Sequence, residues 1–415
     1  LTYSNQIYIE NDMVFLKEYY EAEENVAKKL VSMSLDKMKK CVNLDKKIAE
    51  QEELIGITLS EDQKKAIEMV FKNRVSIITG GPGTGKTTII KGIVELYKKI
   101  HKLSFLDLQN KMALLAPTGR AAKRMGEAAL MPAYTIHKFL RWNRDADKFN
   151  INEQNKSSVD FVIIDEVSMI DTLLLDNLLK GLKKDVKIVM IGDYNQLESV
   201  GPGKVLKDLI DSDVINVIKL DELYRQKENS YIATFAKEIR DNEVDYNFSK
   251  ELSDFKFIES DNYNIKNYIK ALCDKAIEKG YNSNDIEVLA PMYKGENGID
   301  NLNKILQDVF NRDVGQSSLK TGDIIYRVND KILQLENDPD NNVFNGDIGY
   351  IRDIVDNTLS IDFDGNIVKY TPQRFNYIKH GYAISIHKSQ GSEFKTVVIP
   401  VLKEYGRMLY QKLIY

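Results

Sequence analysis

Short apolar runs separated by helical spacing dominate the chain between Leu54 and Lys219. The runs Val75–Thr79, Met112–Ala116, Phe161–Ile164, Lys187–Ile191 and Val214–Leu220 are too short for buried helices and sit between turn residues. Each reads as a strand covered on both faces. Helical patterns fall between them, one opening at Thr88-Ile89-Ile90, and this strand–helix rhythm predicts a parallel α/β sheet over 54–219. A second α/β unit is expected over 220–317 and 378–415, with strands at Ile286–Ala290, Tyr382–Ile386 and Thr396–Val401. Between its two parts, residues 318–377 change period. Alternating segments such as Asp323–Val328 are punctuated by Asn345-Gly346 and Asp364-Gly365, the signature of a small antiparallel β module.

Upstream, Val26, Leu30 and Met33 recur at helical spacing, with Glu23-Glu24 and Lys28-Lys29 on the wet side. Residues 1–53 are therefore expected to form a short helical N-terminal segment. The polar stretch Asn143–Ser158 reads as an inserted loop or hairpin. No internal repeat and no low-complexity linker is expected.

The segment Gly80-Gly81-Pro82-Gly83-Thr84-Gly85-Lys86-Thr87 fits the phosphate-loop pattern G-x-x-x-x-G-K-[ST], with a strand before it and a helix after it. Glycines let backbone N–H groups turn inward around phosphate oxygens, and the helix start adds partial positive charge. Gly81, Pro82, Gly83, Thr84, Gly85, Lys86, Thr87 and Thr88 are thus candidate nucleotide contacts. Lys86 would reach the outer phosphates of ATP, and the Thr87 hydroxyl would hold Mg2+. A Gly-rich turn is the bland alternative, which the register of strand, loop, Lys-Thr and helix disfavours.

The strand Phe161–Ile164 ends in Asp165-Glu166, which puts two carboxylates at the sheet edge where open α/β sheets bind ligands. Asp165 would help hold the metal and Glu166 would deprotonate the attacking water. An acidic helix cap is the competing reading. Ser60-Glu61-Asp62-Gln63 forms a capping box. Gln63 could instead read an adenine edge, although on spacing alone the box accounts for both residues.

A chain of 415 residues exceeds a single core, so two or more domains are expected. The net charge of −4 does not advertise a polyanion partner, yet a local basic track would suffice. No apolar run is long enough to cross a bilayer and no signal peptide opens the chain. Cys41 and Cys273 have no metal-ligand spacing, so a reduced cytoplasmic setting is expected. The chain begins at Leu1 rather than Met, which suggests a piece of a longer protein.

With these motifs stand Leu59–Ile67, Ala116-Pro117-Thr118-Gly119-Arg120-Ala121-Ala122, Asp165-Glu166-Val167-Ser168-Met169 and Gly192-Asp193-Tyr194-Asn195-Gln196-Leu197. Leu220-Asp221-Glu222-Leu223-Tyr224-Arg225-Gln226 and the stretch from Tyr382 through His387-Lys388-Ser389-Gln390-Gly391 to Phe394 complete the series. In this order they resemble the motifs of superfamily 1 helicases, and their wording resembles the RecD-like branch, from about residue 55 to the end. The resemblance implies two RecA-like motor domains that close on ATP, with an SH3-like β-barrel inserted in the second. It also implies 5′-to-3′ movement on single-stranded DNA, with tailed or forked duplexes as substrates. Repair or recombination is the implied setting, and a monomer is expected.

Under that resemblance Gln196 would sense the terminal phosphate and Arg225 would stabilise the transition state. Without it, Arg225 reads as a surface residue paired with Glu222. Gln390 and Gly391 would approach the phosphates from across the cleft. Glu393 would touch the nucleotide sugar, although a helix-start carboxylate explains it nearly as well. Thr118, Arg120, Lys123 and Arg124, with 120, 123 and 124 on one helical face, would face the DNA backbone. So would Thr135, Ile136, His137 and Lys138 in the first domain, and His387, Lys388 and Ser389 in the second. A solvated basic face remains open for Lys123 and Arg124, and a core position for His137. Asn345-Gly346 resembles a turn facing DNA, and Asn143–Ser158, with Trp142 at its edge, resembles a pin where the duplex splits.

The pattern breaks at Tyr415, before the family's last motif and its second arginine finger. Such a finger is worth about 10³–10⁵ in rate, so this chain is expected to hydrolyse ATP weakly. The family's N-terminal helix-hairpin-helix region is likewise expected to be missing upstream of Leu1. Two other readings stand beside the helicase: the helicase portion of a conjugative relaxase, and a phosphate-loop ATPase or kinase that switches shape without unwinding.

Overall fold

The computed structural model describes residues 6–36, 38, 43–56, 58–143, 146–220, 231–244 and 254–415. The contacts divide the chain into two units, one of Leu1–Pro117 and Ala121–Ala233, the other of Thr118–Arg120 and Thr234–Tyr415.

All six strands of the first unit's main sheet run parallel. Their spatial order is Asn216–Leu220, Val75–Gly80, Lys187–Gly192, Phe161–Ile164, Met112–Ala116 and Ala133–Thr135. The five expected strands are all present, the last starting two residues later than its sequence pattern suggests. The sixth, Ala133–Thr135, was not expected, because three residues at a sheet edge carry too little apolar signal.

Alternation along each strand feeds two cores. Ile78, Leu114, Ile163, Val189 and Ile191 face the helices Glu61–Lys72 and Lys86–His101. Ile77, Leu115, Val162, Ile164, Ile188 and Met190 face the opposite side, with the helix Thr172–Gly181. Burial on both faces is what makes the strands read as continuous apolar runs.

The N-terminal segment is helical as expected over Lys17–Ser34 and Leu44–Ile55. Val26, Leu30 and Met33 do line its buried face, and they join the core that contains Leu178 and Leu179. Ahead of it lies a hairpin, Ile7–Glu10 with Met13–Leu16, which the helical expectation missed. Its two-residue turn, Asn11-Asp12, has φ of 48° and 61°, a left-handed pair that short polar side chains tolerate. The inserted stretch after Trp142 contains a small hairpin, Trp142–Asn143 against Lys148–Phe149.

In the second unit a three-stranded parallel sheet has the order Ala383–Ser385, Ile286–Ala290, Thr396–Val398. Its core includes Ile269, Cys273, Leu302 and Leu306 from the helices Ile265–Glu278 and Ile299–Phe310. The β module is antiparallel, as its alternation predicts. One hairpin pairs Ser318–Thr321 with Ile324–Arg327. A five-stranded sheet runs Asn366–Tyr370, Thr358–Phe363, Ile348–Val355, Lys331–Gln334, Ile378–His380, so it extends past the expected limit at 377. Asp364-Gly365 makes a two-residue turn with both φ positive, as its sequence demands. Asn345-Gly346 does not join adjacent strand ends. It lies in the long connection between Lys331–Gln334 and Ile348–Val355, where Gly346 N–H reaches back to Gln334 O, 2.9 Å.

Candidate nucleotide and nucleic-acid sites

The strand Val75–Gly80 breaks into the phosphate loop, and the helix restarts at Lys86, two residues before the expected opening at Thr88. Gly83 and Gly85 have φ of 80° and 83°, where a side chain would strain the backbone. At Gly85 a Cβ would also lie 2.2 Å from Gln63 Nε2. The Lys86 ammonium donates to Gly80 O at 2.7 Å and Gly81 O at 2.9 Å, while Thr84 Oγ1 donates to Gly81 O at 2.9 Å. The loop therefore curls around its own lysine, which stays inside the hollow that the glycines leave.

Asp165 and Glu166 follow the strand Phe161–Ile164, separated from Val75–Gly80 by Lys187–Gly192, and are both buried. Glu166 has φ of 53°, an uncommon conformation for a non-glycine and one that concentrates at functional sites. Its N–H donates to Asp165 Oδ1, 2.9 Å. Burial pushes the Asp165 carboxyl above its usual range, against the pull of that N–H and of Lys86 and Arg124. Burial, then the charge of Asp165, pushes Glu166 up to about 7, with Lys86 and Arg124 opposing. Arg124 Nη2 lies 3.8 Å from Glu166 Oε1. Arg124 thus reaches toward the carboxylates while its side chain stays partly in solvent, a pairing the sequence reading missed. The buried stripe Ala121, Ala122, Met125, Ala129 was the available signal, since it fixes which flank of the helix looks toward Glu166.

Two buried carboxylates with raised pKa values are short of positive charge, and hard oxygen donors suit Mg2+. Among the described residues no group of three or more acidic, His or Cys side chains could hold a metal by itself. That fits an ion which uses one or two carboxylates and takes its other ligands from water and phosphate. Asp165 and Thr87 are the residues that would hold it.

Gln63 closes the expected capping box and also bonds the phosphate loop, a contact the sequence did not announce. Its Oε1 accepts from Ser60 N–H at 3.0 Å and its N–H donates to Ser60 Oγ at 3.1 Å, which closes the capping box. The other end of the amide, Nε2, donates to Thr84 O within the phosphate loop, 3.2 Å. Gln196 sits on the turn after Lys187–Gly192, its N–H bonded to Asp193 O at 3.2 Å. Arg225 lies outside the described residues, as does the rest of 221–230.

The nucleic-acid candidates reveal a repeat that the sequence reading overlooked. Ala133-Tyr134-Thr135-Ile136-His137-Lys138 matches Ala383-Ile384-Ser385-Ile386-His387-Lys388. In each unit a three-residue edge strand ends on a hydroxyl residue that caps a four-residue helical turn. Thr135 Oγ1 accepts from Lys138 N–H at 3.1 Å, and Ser385 Oγ from Lys388 N–H at 3.2 Å.

His137 keeps part of its surface in solvent and is not a core histidine, although its ring is partly covered. Its ring sits 6.4 Å from that of Trp142 and 5.7 Å from that of Phe149, and this partial burial lowers its pKa. Lys138 Nζ lies over the Tyr134 ring, 5.8 Å from its centroid. In the second unit Lys388 Nζ donates to Asn345 Oδ1 at 2.7 Å, joining two separately expected DNA contacts. Ser389 Oγ is taken up by Ile386 O, 2.8 Å. Gly391 has φ of 71°, Gln390 is half-buried and Glu393 is exposed. Thr118 and Arg120 group with this unit, where Arg120 Nη1 donates to Ser392 Oγ at 2.7 Å.

Residues 58–261 match an AAA domain family and residues 302–363 match the SH3 domain of ATP-dependent RecD-like DNA helicases. Residues 380–415 match a UvrD-like helicase C-terminal domain. The chain is 32% identical over 357 residues to the ATP-dependent RecD2 DNA helicase of Deinococcus radiodurans, covering 86% of this chain and 47% of that protein. It therefore spans about half the length of that relative. To the RecBCD enzyme subunit RecD of Buchnera aphidicola it is 26% identical over 483 residues, covering 97% of this chain and 78% of that one. A Pif1 helicase from Bacteroides, crystallised with ADP-AlF3 and ssDNA, shares the fold at a TM-score of 0.51 and 18% identity, over 83% of this chain and 87% of that one.

Proposed function

Because the chain belongs to the RecD-like helicases, we propose that it is the motor portion of an ATP-dependent DNA helicase. It moves 5′ to 3′ on single-stranded DNA and unwinds tailed or forked duplexes during repair or recombination. The observation that carries this reading is the repeated strand–cap–turn, present at the sheet edge of both units while only the first holds a phosphate loop. One unit with a phosphate loop would serve a switch. Two matched His-Lys turns suit a track for a polymer with a regular backbone charge.

Within this reading the loop from Gly81 to Thr88 wraps the phosphates of ATP, with the Lys86 ammonium on the outer ones. Thr87 and Asp165 are the residues that would hold Mg2+, which would supply positive charge against the phosphates. Glu166 takes the proton of the attacking water, a task that favours a carboxylate whose pKa lies near neutrality. Arg124 keeps that carboxylate oriented, and Gln63 fixes the loop while its remaining amide hydrogen is available to the base. Gln196 orients toward the terminal phosphate. Arg225, Gln390, Gly391 and Glu393 take the roles that the family resemblance gives them. His137, Lys138, His387, Lys388, Asn345, Ser389, Thr118 and Arg120 contact the strand, in keeping with the ssDNA bound to the Bacteroides relative. Trp142, 42% exposed beside Phe149, forms the apolar tip that meets the duplex junction.

Strand displacement by the full-length protein tests this. ATP should drive displacement from a 5′-tailed duplex and not from a 3′-tailed one, and Lys86→Ala should abolish it. Displacement from the 3′ tail alone would reverse the polarity. Turnover of ATP without displacement from either tail would contradict the unwinding role.

A further inference from the structure

Helix Ile299–Phe310 carries a row of amides at four-residue steps, Asn303, Gln307 and, just past its end, Asn311. This spacing keeps them on one face. Asn303 is 5% exposed and both ends of its carboxamide are engaged. Oδ1 accepts from Tyr382 N–H and from Ala383 N–H, both at 2.9 Å, and Nδ2 donates to Ala383 O at 2.8 Å. Ala383–Ser385 lies at the edge of its sheet, paired on one side with Ile286–Ala290. On the other side the Asn303 side chain does what a further strand would do. Without it, buried backbone groups at Tyr382 and Ala383 would lose their partners.

The helix itself is held from its far end. Gln307 Nε2 donates to Asp330 Oδ2 at 2.7 Å, and Asn311 Nδ2 to Asp330 Oδ1 at 2.7 Å. Asp330 is fully buried and also accepts from the Tyr382 hydroxyl, 3.0 Å. Tyr382 is therefore fixed at its backbone by Asn303 and at its ring by Asp330. Directly beyond it run Ala383–Ser385 and the turn Ile386–Ser389, which carries His387 and Lys388.

We propose that Asn303 is the positioning residue for the second unit's strand-gripping turn: its carboxamide sets where Ala383–Ser385 lies and so where His387 and Lys388 meet the DNA backbone. This rests on the helicase reading above. A small error at the root of such an arm is enlarged at its tip, and misplacements of about 1 Å can cost a hundredfold where geometry is limiting.

The test uses the full-length protein with a fluorescent oligothymidine strand and hydrogen exchange at individual amides. Asn303→Ala should raise the single-strand dissociation constant by about tenfold and speed exchange at Tyr382 and Ala383. Asn303→Asp, which keeps both acceptor bonds, should lose less affinity, and it carries the test should the alanine variant not fold. Leu306→Val, which loosens the same helix among apolar neighbours, should leave DNA affinity at the wild-type value. Unchanged affinity in both Asn303 variants would overturn the proposal, as would an equal loss in Leu306→Val. A wild-type protein that binds no single strand would instead defeat the helicase reading itself.

Discussion

Lys187 is a charge placed where burial works against it. Its ammonium lies among core side chains and donates to Val70 O in the last turn of the helix Glu61–Lys72 and to Asn73 O just past its end. Burial pulls its pKa from 10.5 down to about 7, with Arg74 adding to the shift. In the unfolded chain the amine keeps its proton to 10.5, so between about 7 and 10.5 unfolding takes up a proton. The contribution of Lys187 to stability therefore rises as pH climbs from about 7 and is flat below it. Urea melts of wild type and Lys187→Met should show wild type gaining on the variant between about pH 7 and about pH 9. An unchanged difference would contradict the assignment. Placement at single positions was legible where a motif supplies its own context, as at Lys86 in its loop and the buried Asp165 at its strand end. It was not legible at Arg124, whose 3.8 Å approach to Glu166 depends on how a whole helix lies over the sheet.

Elements were legible in proportion to how much apolar surface they bury. The central strands announce themselves because both faces are covered, whereas Ala133–Thr135 is short and half-buried and gave no signal. The hairpin at Ile7–Leu16 exposes Ile9, Met13, Val14 and Leu16, so its alternation never separated an inside from an outside. The start of Glu61–Lys72 shows the opposite limit. There the sequence supported a capping box so fully that a second role for Gln63 was obscured, yet the two ends of one amide serve both. Ser60→Ala should therefore cost about 1 kcal/mol of stability and leave nucleotide affinity unchanged. Gln63→Ala should lower both stability and nucleotide affinity. Chemical melts beside titration with a fluorescent ATP analogue separate the two. Equal affinities in wild type and Gln63→Ala would reduce Gln63 to a cap.

At the scale of the molecule, the alternation of strands and helices foretold two parallel-sheet units, and the change to period two foretold the antiparallel module between Ser318 and His380. The A-x-[ST]-I-H-K repeat was present in plain letters but carried no weight until both copies stood on matching strand–turn elements. That duplication, set beside a single phosphate loop, is the observation on which the helicase proposal rests. ATP turnover by the full-length protein, with and without oligothymidine, tests this most directly. Single-stranded DNA should accelerate turnover, and Glu166→Gln should abolish turnover in both conditions while nucleotide binding persists. Turnover that is wholly indifferent to DNA would contradict the account.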